Sequence, residues 1–203
     1  MKILICGAGA LGSNLARLLA SDLRNHEITV LDFDKVEERN VRANTQFYFR
    51  EQIGRLKTEA LQYNIFKSTG RKINTINQKI EDTSTHSLRE YDLIVDCFDN
   101  FKARKIIQEE WDIWQKTLYS GFNKFLLLHI GFSDRYTFTI EWAENYQVPT
   151  DMATGFDLCE MPGAAAFVNC VASIAGLVVQ EFADNQKKME ITAFLTERKI
   201  WLN

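Results

Sequence analysis

Proline is almost missing from this chain: two in 203 residues, with ten glycines. No Pro/Gly/Ser-rich stretch separates one part from another, so no flexible linker is expected. There is no internal repeat and no low-complexity tract, which excludes a solenoid. The four cysteines, Cys6, Cys97, Cys159 and Cys170, lie far apart and form no CxxC pair. That pattern suits reduced thiols in a cytoplasm better than a disulfide frame or a zinc site. A basic excess is lacking too. The net charge is −3 and the pI is near 5.7, so neither a nucleic-acid partner nor a membrane-surface role is expected. No signal peptide opens the chain, which begins directly on a strand-like run. The most apolar run, Ala164 to Val179, is shorter than a membrane span of about 20 residues. It contains Asn169 and Ser173 and reads as a buried core helix.

What is present is enough apolar sequence, 46% of residues, for one sizeable core. KILIC (Lys2 to Cys6) is a short apolar run closed by glycine, the pattern of a buried strand. GSNLARLLASDL places Leu15, Leu18, Leu19 and Leu23 at helical spacing. EITVLD ends a second strand on Asp32. Strand, glycine turn, helix and strand make a right-handed βαβ unit. KTEALQYNIFKS reads as a helix, KINTINQKI as a strand, YDLIVDCF as a strand and NFKARKIIQEEWDIW as a helix. The alternation predicts an α/β fold: a Rossmann-like, mostly parallel sheet flanked by helices. After about Lys116 the pattern changes. TLYSGF, FLLLHIGF and RYTFTIEW read as successive mixed or antiparallel strands. A long polar loop, AENYQVPTDMATGFDL, follows; loops of that length are usually functional or disordered. Then come the apolar helix and a closing hairpin around Thr196 to Arg198. One domain is expected over residues 1–203: a nucleotide-binding half, 1–115, and a substrate or dimer half, 116–203.

GAGALG matches GxGxxG at Gly7, Gly9 and Gly12, after a strand and at the start of a helix. The glycines permit a tight turn and close approach, and the helix N-terminus offers free N–H groups to phosphates. Asp32 can accept hydrogen bonds from ribose hydroxyls. The motif alone does not separate NAD, FAD and ATP. DCFDN puts Asp96 and Asp99 at the C-terminal end of a strand, where ligands bind in open α/β sheets. Hydride transfer needs no carboxylate there. A magnesium ion on a triphosphate does, because it takes hard oxygen ligands. Lys57 can offer positive charge to the same phosphates.

GAGALGS, LDFDKVEERNV, QFYFREQIGRLK, DLIVDCFDNFKAR and a late CEMPG before an alanine-rich helix resemble the ThiF/MoeB/HesA family. These are bacterial relatives of ubiquitin-activating enzymes. The resemblance is strongest from Met1 to Arg104 and returns around Cys159 to Glu181. It implies ATP- and Mg2+-dependent adenylation of the C-terminal carboxylate of a small ubiquitin-like or sulfur-carrier protein, or of a peptide, with release of pyrophosphate. It implies a homodimer as well. By position, Gly9 would lie beside the phosphates and Asp32 on the ribose. Asn40 and Lys57 would contact the triphosphate, and Asp99 would hold magnesium. Asn100 and Arg104 complete a DN…R signature that shapes the site. Asp34 is expected to fix the loop after Asp32 by local hydrogen bonds.

The sequence departs from the family in four places. The family usually reads NxxRQ after the acidic beat; here it is NVRANTQF, one residue longer, with Arg42 as the nearby arginine and candidate substitute. An N-terminal helix carrying a cross-dimer arginine is not seen. Paired CxxC zinc ligands are lacking. Cys159 falls where relatives place a thioester- or persulfide-forming cysteine, but Asp157 and Glu160 beside it oppose thiolate formation. Two other readings stand beside adenylation: a non-catalytic scaffold or dimer partner of the same fold, and an NAD(P)-dependent oxidoreductase. The second gives no reason for DCFDN or Lys57. His129, in an apolar run, reads as a core or strand-end residue, His26 and His86 as turn residues. Trp111 and Trp114 read as packing residues, and ENYQVPTD as a lid, partner loop or plain surface connection.

Overall fold

The computed structural model describes residues 1–83, 85–116, 125–132, 137–148, 163–196 and 199–202. The first strand, β1 (Lys2–Cys6), leads through a glycine turn into α1 (Ala10–Asp22), then β2 (Glu27–Leu31). A short helix α2 (Glu38–Arg42) and a 3-10 turn at Arg50–Gln52 precede α3 (Lys57–Thr69) and β3 (Asn74–Ile76). A one-turn helix α4 (Thr85–Leu88), β4 (Leu93–Asp96) and α5 (Phe101–Lys116) follow. The remainder is β5 (Leu126–Phe132), β6 (Thr137–Trp142), α6 (Ala164–Asn185), β7 (Ile191–Thr196) and β8 (Lys199–Leu202).

Among the described residues all eight strands lie in one sheet, in the order β3-β2-β1-β4-β5-β6-β7-β8. The first five in that order run parallel and the last three antiparallel. This is the expected architecture, and its apolar logic is visible in β1. Ile3 and Ile5 face one side with Leu15 and Leu19 of α1, Leu61 and Ile65 of α3, and Val171 and Val178 of α6. Leu4 and Cys6 face the other side with Ile107, Trp111 and Trp114 of α5. A strand covered on both faces must be apolar at every position, not at alternate ones. KILIC is therefore a continuous run.

The strand order turns back on itself between β1 and β4. The chain leaves β1 towards β2 and β3, then returns to β4 on the other flank. Such a switch opens a crevice beyond the C-terminal ends of the two strands. Cys6 pairs with Leu31 of β2 and with Asp96 of β4. The residues just after them, Gly7, Asp32 and Cys97, therefore leave the sheet along one edge.

Several expectations need correction. The third strand occupies Asn74–Ile76 only; Ile80 belongs to a 3-10 turn. His86 lies on α4, not in a turn. The apolar helix extends to 22 residues, Ala164–Asn185, long and apolar enough to cross a membrane. Its apolarity has a nearer cause. Phe167, Val171, Ala175, Val179 and Phe182 are buried in the core that it shares with α1 and β6. The strand expected at TLYSGF, and the part of the polar loop from residue 149 to 162, lie outside the described residues. β7 and β8 pair antiparallel, Thr196 opposite Lys199, as the hairpin reading requires.

Candidate active site

The turn after β1 is built by close approach. Gly7 has φ +96°, and a Cβ there would meet Phe98 at 3.1 Å and the Cys97 carbonyl at 3.2 Å. At Gly12 a Cβ would fall 1.8 Å from the Gly7 carbonyl oxygen. The first turn of α1 thus lies directly on the glycine turn, which no other residue permits. Gly9 is the N-cap of α1, and no side chain caps the helix. Its first amides are left for an anion at the positive end of the helix dipole.

Asp32 is nearly buried and holds two backbone amides: Ala8 N–H donates to Oδ2 at 2.6 Å and Asp34 N–H to Oδ1 at 2.7 Å. Burial pushes its carboxyl up from the ordinary value, while the Lys57 charge and the Ala8 N–H pull against that. The Tyr48 hydroxyl donates to the Ala8 carbonyl at 2.7 Å. Burial, with the Asp32 and Asp34 charges adding to it, raises that phenol well above its usual range, so it acts as a neutral donor. Ala8 is therefore gripped at both its N–H and its carbonyl. Sequence reasoning passed over Tyr48. The only hint was an aromatic residue inside QFYFREQIGRLK.

The loop after β2 is tied to the start of α3. Val36 N–H donates to Arg55 O, Gly54 N–H to Val36 O and Lys57 N–H to Asp34 O, each at 2.8 Å. Lys57 is buried, and its Nζ lies 3.0 Å from Asp34 Oδ2. The expected role of Asp34 is corrected here. Its carboxylate reaches across to Lys57, and the local hydrogen bond within the loop is accepted by Asp32 instead. Asn40 is buried, and its Oδ1 accepts the Glu37 N–H at 2.8 Å, closing the first turn of α2. Arg42, at the end of α2, is exposed.

On the β4 side, Asp99 and Asn100 are exposed at the head of α5. Asn100 Oδ1 accepts the Ala103 N–H at 2.9 Å and so caps that helix. Below them Asp96 is fully buried. Arg104 Nη1 lies 3.4 Å and His129 Nδ1 2.8 Å from its Oδ2. The Phe98 N–H donates to its Oδ1 at 3.0 Å. Burial pushes the Asp96 carboxyl up, but Arg104, His129 and the Phe98 N–H outweigh it and hold the group below the ordinary carboxylate value. Arg104 also donates from Nε to Phe98 O at 2.7 Å. It bears on Gly131, where a Cβ would come within 2.9 Å of Nη2.

Gly7, Gly9, Gly12, Asp32 and Lys57 thus gather around the ends of β1 and β2. Asp99 and Asn100 stand at the end of β4 across the switch. Cys159 lies outside the described residues. Among the described residues no group of three or more His, Cys, Asp or Glu is placed to hold a metal ion.

A family model described as the ThiF family matches residues 1–184. The chain belongs to the ThiF family. Within 109 residues it is 36% identical to the NEDD8-activating enzyme E1 catalytic subunit of Caenorhabditis elegans, covering 52% of this chain and 24% of that protein. It is 28% identical over 122 residues to the adenylyltransferase and sulfurtransferase MOCS3 of Drosophila willistoni, covering 59% of this chain and 26% of that one. This ThiF-family chain therefore spans about a quarter of the length of these curated relatives. Among solved structures, E. coli MccB with ATP superposes over 100% of this chain and 63% of its own, with a TM-score of 0.71 at 16% identity. E. coli MccB with AMPCPP and MccA gives 0.71 at 17%. Likeness at that identity establishes the shared fold.

Proposed function

We propose that this protein adenylates the C-terminal carboxylate of a small ubiquitin-like or sulfur-carrier protein, or of a peptide, using ATP and Mg2+. The observation that carries this reading is the pairing across the β1/β4 switch. A glycine turn with free helix amides and Lys57 stands on one side, and an exposed carboxylate, Asp99, on the other. Membership of the ThiF family, and a relative that is an adenylyltransferase, support it.

In the proposed reaction a carboxylate oxygen attacks the α-phosphorus. The bond to the bridging oxygen breaks, pyrophosphate leaves, and an acyl-adenylate remains. The protein makes no covalent bond, so its work is positioning and charge stabilisation. The amides of α1 and the Lys57 ammonium would bind the phosphates. Asp32 would accept from the ribose with the lone pairs its two amide donors leave. Asn40 would bound the phosphate side. Magnesium takes one or two carboxylates and fills its remaining positions with phosphate oxygens and water, so a lone exposed Asp99 suits it. The ion would be held with the nucleotide, where it neutralises phosphate charge. Arg42 and Cys159 are the remaining candidates, for the γ-phosphate and for a later thiol transfer. A cytoplasmic homodimer completes the reading, supported by the free thiols of Cys6, Cys97 and Cys170 and by the apolar C-terminal half.

The test is calorimetric titration of ATP with and without magnesium, then of NAD, into wild type and Asp99→Ala. Magnesium-dependent ATP binding that Asp99→Ala abolishes is expected, followed by pyrophosphate exchange once a carboxylate partner is added. No ATP binding would favour the scaffold reading. Tight NAD binding would overturn adenylation.

A further inference from the structure

The cluster beneath the β4 edge contains an unusual histidine. Both ring nitrogens of His129 face acceptors: Nδ1 lies 2.8 Å from Asp96 Oδ2, and Nε2 lies 2.8 Å from Gln108 Oε1. The orientation of the Gln108 amide is fixed independently, because its Nε2 donates to Asp112 Oδ1 at 3.1 Å and to the Ala143 carbonyl at 3.3 Å. Turning the amide over would set its oxygen against a carboxylate and a carbonyl. A neutral imidazole donates from one nitrogen only. Both contacts are hydrogen bonds only when both nitrogens carry a proton. The ring is fully buried, and Tyr146 stacks on it at 3.8 Å with the planes 13° apart. The charged and titratable groups around it are Asp96 from β4, Arg104 and Asp112 from α5, Glu141 opposite it on β6, and Tyr146.

We propose that His129 is a positioning residue for the nucleotide edge: as an imidazolium held between Asp96 and Gln108, it locks Asp96, which in turn fixes the backbone of the loop leading to Asp99. The chain of contacts is continuous. His129 sets Asp96 Oδ2, Asp96 Oδ1 holds the Phe98 N–H, and Phe98 packs against the glycine turn at Gly7. Asp96 also lies between two cations, His129 and Arg104, and a buried ion cluster holds its geometry only while each member keeps its partners. A second support exists at Tyr146, whose hydroxyl accepts from Arg104 Nη1 at 3.4 Å. Only the effect on nucleotide affinity rests on the proposed adenylation; the ring protons and the loop do not.

The variants separate the roles of the two nitrogens. In His129→Asn the side-chain amide nitrogen falls where Nδ1 lies and keeps a donor for Asp96. In His129→Gln it falls nearer Nε2 and leaves Asp96 short of one. On the full chain, three readouts apply: a long-range 1H–15N spectrum of the histidine rings at pH 7.5, amide exchange at Phe98, and calorimetric affinity for magnesium-ATP. The spectrum is expected to show two protonated nitrogens on His129. Phe98 exchange should rise about tenfold or more in His129→Gln, the scale of losing a hydrogen bond to a charged group, and change by less than about threefold in His129→Asn. Exchange at Leu4 and Val30 should stay unchanged in both. Magnesium-ATP affinity should follow the Phe98 order. A single protonated nitrogen would overturn the imidazolium, and equal Phe98 exchange in the two variants would overturn the lock. If wild type binds no ATP, the adenylation reading fails, while the spectrum and the exchange still decide the lock.

Discussion

Lys57 and Asp34 form a closed pair: the Lys57 N–H donates to Asp34 O at 2.8 Å while its Nζ lies 3.0 Å from Asp34 Oδ2. The lysine side chain is 10% exposed and the aspartate 50%. The pair therefore sits at the site's rim, and under the proposed reading phosphates approaching Lys57 would compete with a carboxylate already there. Asp34→Asn keeps an acceptor for Nζ but removes the competing charge. ATP affinity is expected to rise by a few fold and to become more salt-dependent. Stability should change by less than about 1 kcal/mol, because the Asp34 carboxylate is half in water and the amide still accepts from Nζ. Lys57→Ala should lower ATP affinity by about 10- to 100-fold, the scale of a charged hydrogen bond. Calorimetry at two ionic strengths checks both. Unchanged affinity in Lys57→Ala would remove this lysine from the phosphate site.

Gly131 shows how tightly the guanidinium of Arg104 is seated. A Cβ at that position would lie 2.9 Å from Nη2 and 3.3 Å from Cζ. Arg104 is itself tied to Phe98 O and Ile130 O and cannot swing aside freely. Gly131→Ala should therefore cost about 1–3 kcal/mol, as overpacking does. Urea unfolding reads this directly. Arg104→Ala alone, and combined with Gly131→Ala, completes the cycle. Once the guanidinium is gone the glycine substitution should cost almost nothing, so strictly additive losses would show that the clash lies elsewhere.

These two sites differ in how far the sequence shows them. The glycine turn, Asp32, Lys57 and the parallel order of the first strands are local patterns, carried by spacing and by apolar runs. They are visible because each leaves its mark in a short stretch of sequence, the glycine spacing at one end and an apolar run closed by Asp32 at the other. The buried cluster is not of that kind. Asp96, Gln108 and His129 come from β4, α5 and β5, and only the fold brings them together. In the sequence His129 stands inside LLLHIGF, where a core histidine is all that composition suggests. Tyr48 is hidden in the same way. Its hydroxyl meets Ala8 from 40 residues away, and nothing in QFYFREQIGRLK announces that contact. Asp34 misled for a different reason. Asx residues in turns usually bond their own backbone, but here Asp32 takes that bond and leaves Asp34 for Lys57.

Asp96 gives a pH signature of definite sign. Its folded carboxyl is held below the ordinary 3.8, so it contributes stability that is present above that value. The contribution is lost as pH falls from 3.8 through the lower folded value. Asp32 runs the other way. Its folded carboxyl is raised above 3.8, so its contribution is present below 3.8 and lost as pH rises through the raised value. The test is the urea midpoint of wild type and Asp96→Asn from pH 6 to pH 3. The variant should be weaker by about 3–5 kcal/mol near pH 6, since it leaves the buried Arg104 guanidinium short of its partner. Its deficit should narrow below pH 3.8. A deficit constant over the whole range would mean that the Asp96 charge does not support the fold.

Tyr48 offers a cleaner probe of the glycine turn than the glycines themselves, because Tyr48→Phe removes one oxygen and leaves the ring. The Ala8 carbonyl then loses its donor in a buried place, while Asp32 still holds the Ala8 N–H. An unsatisfied buried acceptor costs about 1–3 kcal/mol, and the urea midpoint should fall accordingly. The turn should also lose its fixed aim, because one of the two grips on Ala8 is gone. ATP affinity is then expected to fall by several fold, with Asp32 and Lys57 intact. A comparison with Tyr63→Phe, on the exposed face of α3, controls for the loss of a phenol as such, and that variant should change neither quantity. If Tyr48→Phe lowers stability but binds ATP like wild type, the hydroxyl belongs to the core alone and the turn is set by Asp32.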